Sequence, residues 1–489
     1  MPEALLSSPT MTFDKWFPPH NADETPSLFN ISLDQVVSGL NSGQFTSVQL
    51  VRAYKARGDE VDHIFRSVIG WNPDAEAIAR ELDLERANTG PRSIFHGVPL
   101  KLKDNTMTLD NVPSTCGSTV LVGIQFEQEA TVVQKLRQAG AIVVGKCNMT
   151  EFAGFRSTNG PTAWSPRGGQ ATGIFYPNMK AFGSSSGSAI ATGLGITFAS
   201  LGTETVSSIV GPAERSAVVG FKPTKQLVNT YGVIPVSNRQ DTIGPLTRNV
   251  RDAAQILSII VESSNDYVTD MDAIDMGNIK IGLLRKPGDF DEHRMTVFSD
   301  IADSLREMSA GVVDNVSLAG LQEYESLSEH DKSVAIKTDP AECYPSWNVE
   351  IMERANATDM RDASYLRALE KQCYFETAGG IEGAIDCSGC HVLLAPGGSL
   401  ITQALAAMAG SPAISLPVGF YPEETHVTHD DHTGQVLTAP NIPFSVYLYS
   451  KRFNEAVLLR VAEEIERLTG MVEKRRPYQV PQLDLKDFV

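Results

Sequence analysis

Phe182-Gly183-Ser184-Ser185-Ser186-Gly187-Ser188, taken up again by Gly202-Thr203-Glu204-Thr205-Val206-Ser207-Ser208-Ile209, is the stretch on which the fold turns. Four serines and two glycines crowd its first seven residues, and the run Ala189-Ile190-Ala191-Thr192-Gly193 leads on toward a second Ser-Ser. Glycine admits backbone conformations and close approaches that a Cβ forbids, and serine supplies short hydroxyls. The first segment enters a helical pattern, so its N–H groups are placed to converge on an anion or an oxyanion. A flexible Gly/Ser linker has the same composition. The apolar text on both sides, Ala189 to Ala199 and Val218 to Phe221, points instead to a segment packed inside a domain.

Size and charge bound the possibilities. A chain of 489 residues has room for two or three average domains, or for one large α/β domain with insertions. Apolar residues at 42% and charged residues at 20% are ordinary for a soluble globular protein. Lys and Arg number 41 against 59 Asp and Glu, a net charge of −18, which disfavours nucleic acid or an anionic membrane as partner. Met1 to Ser8 lacks the basic and apolar regions of a signal peptide, and no stretch approaches the roughly 18 uninterrupted apolar residues of a membrane span. A cytoplasmic location with six reduced cysteines is the expectation. Cys387-Ser388-Gly389-Cys390-His391 fits covalent haem attachment, a zinc or redox pair, and plain structural thiols; the missing export signal and the strand-like Val392 to Pro396 that follows favour the last.

Along the chain, residues 1–30 read as a surface arm. Ser32-x-x-Gln35 and Thr46-x-x-Gln49 are capping boxes that open two helices. Ser67 to Trp71 reads as a strand, and Asn72-Pro73 as the N-cap and first turn of a helix reaching about Ala87. Gly97 to Asp104 alternates strictly: Val98, Leu100 and Leu102 share one face, Lys101 and Lys103 the other. Spacing alone puts both lysines on a solvated face. A helix at 129–139 precedes the strand Ala141 to Val144, and Gly232 to Pro235 and a helix at 250–262 continue a strand-helix rhythm that implies a largely parallel sheet. Residues 263–385 are more charged, with helical candidates at Thr296 to Met308 and Asp359 to Tyr374. Strands follow at Val392 to Leu394, Ala413 to Pro417 and Phe444 to Leu448, and a helix over Asn454 to Leu468 closes the chain.

Six ordered blocks carry a resemblance. Gly97-Val98-Pro99 through Lys103-Asp104; Gly145-Lys146-Cys147-Asn148-Met149-Thr150-Glu151-Phe152-Ala153; the Gly/Ser stretch itself; Gly220-Phe221-Lys222-Pro223-Thr224; Gln240-Asp241-Thr242-x-Gly244-Pro245; and Gly410-Ser411-Pro412-Ala413-Ile414 resemble the amidase signature hydrolases, over most of residues 95–260 and again over 392–470. The resemblance implies an α/β fold: one large domain, residues 31–489, with a twisted mixed β-sheet core surrounded by α-helices, and a variable helical elaboration at about 263–385 covering the active site. It implies Ser208 as nucleophile, Lys103 as base and Ser184, behind a cis Gly183–Ser184 peptide, as the bridge between them. The backbone amides of Thr205, Val206, Ser207 and Ser208 would form the oxyanion hole. The implied reaction is hydrolysis of a linear carboxylic amide, on a small molecule or a peptide-like substrate, through a seryl acyl-enzyme. No metal or organic cofactor is implied, and a homodimer is compatible with the chain.

The chemistry suits these residues. An amide carbonyl is a poor electrophile, so an attacking serine needs its proton removed and the developing oxyanion held. The signature contains no histidine, and serine with a lysine base is a variant of the same logic. Lys103 must then be neutral, which burial favours; Lys101 keeps the solvated reading. The chain departs from the family where Val206-Ser207 stands for Asp-Gly or Gly-Gly. A positive φ at 207 would cost serine about 1 kcal/mol relative to glycine. Acyl transfer, ester cleavage or ring formation on the same site is the alternative chemistry, and a catalytically impaired binding protein the non-enzymatic one. A subunit of a tRNA-dependent amidotransferase is disfavoured by the acidic chain. Asp386 with Glu382 as a carboxylate pair, and the His426, His429 and His432 loop with Asp430 and Asp431 as a metal cluster, are weaker candidates; a solvated loop is the simpler reading of the second.

Overall fold

Both capping boxes close as their spacing predicts. In a computed structural model that describes residues 25–284, 290–308, 310–319, 350–357 and 363–489, Ser32 Oγ accepts from the Gln35 amide at 3.3 Å and Thr46 Oγ1 from the Gln49 amide at 3.2 Å. They open helices Leu33–Ser42 and Ser47–Phe65. The next helix, Ala75–Thr89, starts later than its sequence suggests. Asn72 does not cap it; the Asn72 Oδ1 accepts from the Asp74 amide at 3.0 Å and folds a turn ahead of the helix instead. Most of the expected 1–30 arm lies outside the described residues.

Fifteen strands are present among the described residues. β1 (Val68–Trp71), β2 (Pro99–Lys103) and β3 (Ile142–Cys147) precede a small ribbon of β4 (Trp164–Ser165) and β5 (Gly169–Gln170). β6 (Ala199–Glu204), β7 (Val219–Lys222) and β8 (Thr242–Thr247) carry the signature region. β9 (Lys280–Leu284) and β10 (Gly311–Val316) fall inside the elaboration expected to be helical. β11 (Val392–Pro396), β12 (Ala413–Phe420), the ribbon β13 (Thr428–His429) with β14 (Val436–Thr438), and β15 (Pro443–Ser450) complete the set.

Eleven strands form one sheet in the order β1-β3-β2-β6-β8-β7-β12-β15-β11-β9-β10. The mixed sheet is present, but it is not largely parallel. Only β3/β2, β2/β6, β11/β9 and β9/β10 run parallel, and the centre from β6 to β15 is antiparallel throughout. The reason is local. No helix separates β7 from β8, so the chain returns beside its own strand, whereas a parallel neighbour needs a crossover. Gly232 to Pro235, expected to be strand-like, makes only an isolated bridge from Val233 to Thr106.

Both faces of the sheet are covered, so β2, β3 and β6 are buried at every position. That burial overturns the solvated reading of Lys101. Alternation marks a wet face only on a one-sided sheet, and β2 lies between β3 and β6 with helices Ser47–Phe65 and Ser186–Gly193 packed on it. Among the described residues Lys101 Nζ has no hydrogen-bond acceptor; it lies 3.2 Å from the Trp71 ring centroid, and burial lowers its pKa to about 8. The same topology positions the site: parallel neighbours β2 and β6 end side by side, one delivering Lys103 and the other Thr203 and Glu204.

Candidate active site

Lys103 is the last residue of β2 and is fully buried. Its Nζ lies 2.6 Å from Ser184 Oγ, 2.9 Å from Thr203 Oγ1 and 3.1 Å from the Thr203 carbonyl. Burial lowers its pKa to about 7, against weaker opposing pulls from Cys116, Asp241 and Glu204. A neutral amine has two N–H bonds and one lone pair. Donation to the two Thr203 oxygens leaves the lone pair facing the Ser184 hydroxyl. Asn105 Nδ2 donates to Thr203 Oγ1 at 3.0 Å and Ser185 Oγ to the Thr203 carbonyl at 3.1 Å, fixing this cradle from behind. The sequence reading singles out neither Thr203, which sits inside the Gly/Ser stretch, nor Asn105, which directly follows the Gly97–Asp104 block.

Ser184 follows a cis Gly183–Ser184 peptide bond. Its carbonyl accepts from the Thr150 amide at 3.1 Å, which ties the Gly/Ser stretch to the block before it. The glycines here serve close packing and not flexibility. A Cβ on Gly183 would fall 2.1 Å from Thr150 Oγ1, and one on Gly187 would fall 2.3 Å from the Ser67 carbonyl. Helix Ser186–Gly193 is buried at every position.

Ser208 lies between β6 and helix Val210–Arg215, 9% exposed against 2% for Ser184. Its carbonyl accepts from the Ser185 amide at 3.2 Å, joining the two halves of the stretch. Its hydroxyl sits 3.5 Å from the Val206 carbonyl, at the outer limit of a hydrogen bond, and so is free to turn. The Glu204 carboxylate accepts from the amides of Ile209 at 2.6 Å and Val210 at 3.0 Å and so holds the loop at the helix start. Burial pushes its pKa up, and the nearby Lys222 together with these amides, Ser207's included, pulls the other way. Among the described residues the amides of Thr205, Val206 and Ser208 meet no acceptor. Thr205 Oγ1 donates to Asp241 at 2.5 Å, and Asp241 also accepts from the amides of Val236 and Ser237. Ser207 takes a φ of +65°, the left-handed region in which glycine is cheapest.

A cavity of about 450 Å³ borders Ser207. Its walls include Phe182, Leu400, Tyr421 and Tyr447, with Glu214, Asp291 and Arg294 forming a polar band. Tyr447 Oη donates to Glu214 at 2.6 Å, Arg294 reaches Glu214 at 3.2 Å and the Gly397 carbonyl at 3.1 Å, and Arg294 Nε donates to Tyr421 Oη at 2.7 Å. Arg294 belongs to helix Glu292–Glu307, inside the variable region. No sequence pattern marked it. A second cavity of about 390 Å³ borders Thr203, Thr205, Asn105 and Asp241.

The weaker sequence candidates do not converge on either cavity. Asp386 pairs with Lys451, and Glu382 with Arg452 at 2.9 Å. His426, His429 and His432 stay apart as ligands: among the described residues no three His, Cys, Asp or Glu are grouped to hold a metal ion. Asp430 of that loop instead pairs with Lys180 at 2.5 Å. Cys387 and Cys390 are free thiols, Cys390 in contact with Ser388 Oγ at 3.0 Å, while His391 Nδ1 accepts from the Lys280 amide. Cys343 lies outside the described residues. No helix among those residues is long and apolar enough to cross a membrane.

Comparison with known proteins fits this geometry. The sequence model of the Amidase family matches residues 49–354. An amidase-family protein of Arthroderma benhamiae is 31% identical, over 96% of this chain and 90% of its own length. One of Arabidopsis thaliana is 28% identical over 91% of each. The native peptide amidase of Stenotrophomonas maltophilia superposes with a TM-score of 0.80 at 28% identity, over 92% of this chain and 98% of that one.

Proposed function

This chain belongs to the amidase family, and from that premise we propose that it hydrolyses a linear carboxylic amide with Ser208 as nucleophile. The observation that carries the reading is the buried 2.6 Å contact between Lys103 Nζ and Ser184 Oγ, in surroundings that favour the neutral amine. In the forward step Ser208 Oγ passes its proton to Ser184 Oγ as Ser184 passes its own to the Lys103 lone pair. The freed Oγ adds to the carbonyl carbon, and the carbonyl oxygen takes the negative charge beside the amides of the 205–208 loop. Collapse breaks the C–N bond, and the proton on Lys103 returns through Ser184 to the leaving nitrogen. Water then attacks the acyl-serine, its proton following the same path, and Ser208 is regenerated.

Glu204, Asn105 and Thr203 act as positioning residues: the first shapes the nucleophile loop, the other two orient the base. The test is ammonia release from a primary amide by wild type and by Ser208→Ala and Lys103→Ala. Loss in both, with folding retained, supports the reading; full activity in Ser208→Ala sinks it.

One observation favours a second reading, a binding protein with a weakened oxyanion site. Ser207 carries a side chain at positive φ, and its amide lies among those held by the Glu204 carboxylate. Binding without turnover would distinguish it.

A further inference from the structure

The antiparallel ladder between β6 and β8 ends at the pair Glu204 and Thr242. Thr205 and Asp241 would be the next pair in register, and a side-chain contact stands there instead: Thr205 Oγ1 donates to Asp241 Oδ1 at 2.5 Å. A continued backbone ladder would draw on the amides of the 205–208 loop, whereas the side-chain contact leaves them unused. Asp241 Oδ2 accepts from the amides of Val236 and Ser237 at 2.7 and 2.8 Å. The carboxylate thereby ties the entry of the nucleophile loop to the turn ahead of β8. Glu204 does the same at the exit, on Ile209 and Val210, so a carboxylate holds the loop at each end.

Asp241 also sits where its charge bears on the base. Thr203 Oγ1 touches Lys103 Nζ, Thr205 Oγ1 touches Asp241, and residues two apart along a strand share a face, roughly 7 Å apart. Thr203, Thr205 and Asp241 all border the 390 Å³ cavity, together with Asn105 of the lysine cradle. Three acidic groups act on Lys103: Cys116, Asp241 and Glu204. Burial pushes the Cys116 thiol up, so it stays neutral, and Glu204 is offset by Lys222. Asp241 is half-buried and held by neutral donors, and Lys103 is the cation that acts on it in return. Lys225, itself near Arg239, is its further charged neighbour. When Lys103 takes up the proton from Ser184, a buried ammonium forms, and an opposite charge close by lowers its cost. The carboxylate beside a catalytic imidazolium plays that part in serine hydrolases with a histidine base.

We propose that Asp241 is a positioning residue of the reaction: through Thr205 it sets the entry of the oxyanion loop, and its charge stabilises the ammonium formed on Lys103. This rests on the reading of Lys103 as the base of the Ser208 reaction.

Two readouts on the full-length protein test it. Ammonia release from acetamide between about pH 5 and pH 9 gives kcat, KM and the midpoint of the pH profile. NMR of protein labelled at the lysine ε-carbon follows the titration of Lys103 without turnover, its signal assigned by loss in Lys103→Met. Asp241→Asn should move the midpoint, by both readouts, about half a pH unit or more below the wild-type value near 7. It should also cut kcat about tenfold with KM within about threefold. Thr205→Val should lower kcat by a similar factor and leave the midpoint in place, and Thr205→Ser, which keeps the hydroxyl, should restore most of the rate. Asp241→Ser supplies the same midpoint should Asp241→Asn fail to fold. A carboxylate that only braced the turn would change the melting temperature alone. An unmoved midpoint in the Asp241 variants, or full kcat in Thr205→Val, would therefore overturn the proposal. A wild type that releases no ammonia would instead count against the Ser208 reaction, with the NMR midpoints still judging Asp241.

Discussion

Replacing Lys103 with methionine should stabilise the fold at mildly acidic pH and destabilise it in alkali. The amine is held near pKa 7 by burial, against 10.5 in the unfolded chain. The sign follows from linkage: above about pH 10.5 the amine is neutral in both states and burial carries no proton penalty. As pH falls toward 7 the unfolded chain binds a proton that the folded chain does not, and stability is lost; below 7 the loss is complete. Buried with that pKa, the wild-type lysine costs on the order of 5 kcal/mol at pH 6.5 and on the order of 1 kcal/mol at pH 10. Methionine removes that cost but also the three contacts with Ser184 and the two Thr203 oxygens, about 3 kcal/mol in all. The net is roughly 2 kcal/mol of stabilisation at pH 6.5 and roughly 2 kcal/mol of destabilisation at pH 10. Thermal unfolding of both proteins at the two pH values reads the difference, expected as a few degrees with opposite signs. The same variant should be inactive. A variant-minus-wild-type shift that does not change with pH would refute the argument, because Lys103 would then titrate as an ordinary lysine.

Other consequences follow from the same residues. The rate constant kcat/KM should climb with pH through a midpoint near 7, with about a tenth of the base form at pH 6 and about nine-tenths at pH 8; a flat profile across that window would exclude Lys103 as the base. The double substitution Val206→Gly/Ser207→Gly should raise turnover of a small primary amide such as acetamide, since it removes two side chains from the nucleophile loop and places glycine at the +65° position. Unchanged turnover would mean that the loop already accommodates them.

The sequence exposed the two halves of the stretch and their neighbours because close packing leaves a compositional trace. Gly183 and Gly187 face oxygen atoms where no Cβ fits, and that requirement is visible as glycine in the text. The positive φ at Ser207 was legible for the opposite reason, as a residue that breaks the pattern. Lys101 was misread because alternation reports a wet face only when one exists, and β2 is covered on both. The central antiparallel strands escape the strand-helix rhythm because Gly232 to Pro235 makes only an isolated bridge, while the return from β7 to β8 carries no helix. Arg294, Tyr421 and Glu214 come from three distant parts of the chain, and only folding brings them to one cavity. No periodicity or spacing could have joined them.

The central claim is that Ser208 carries the acyl group. Incubation with a fluorophosphonate, followed by intact-mass measurement and peptide mapping, tests it most directly. One covalent adduct on Ser208 is expected, formed faster as pH rises through about 7 and lost in Lys103→Met. A protein that stays unmodified, or an adduct on another residue, would contradict it.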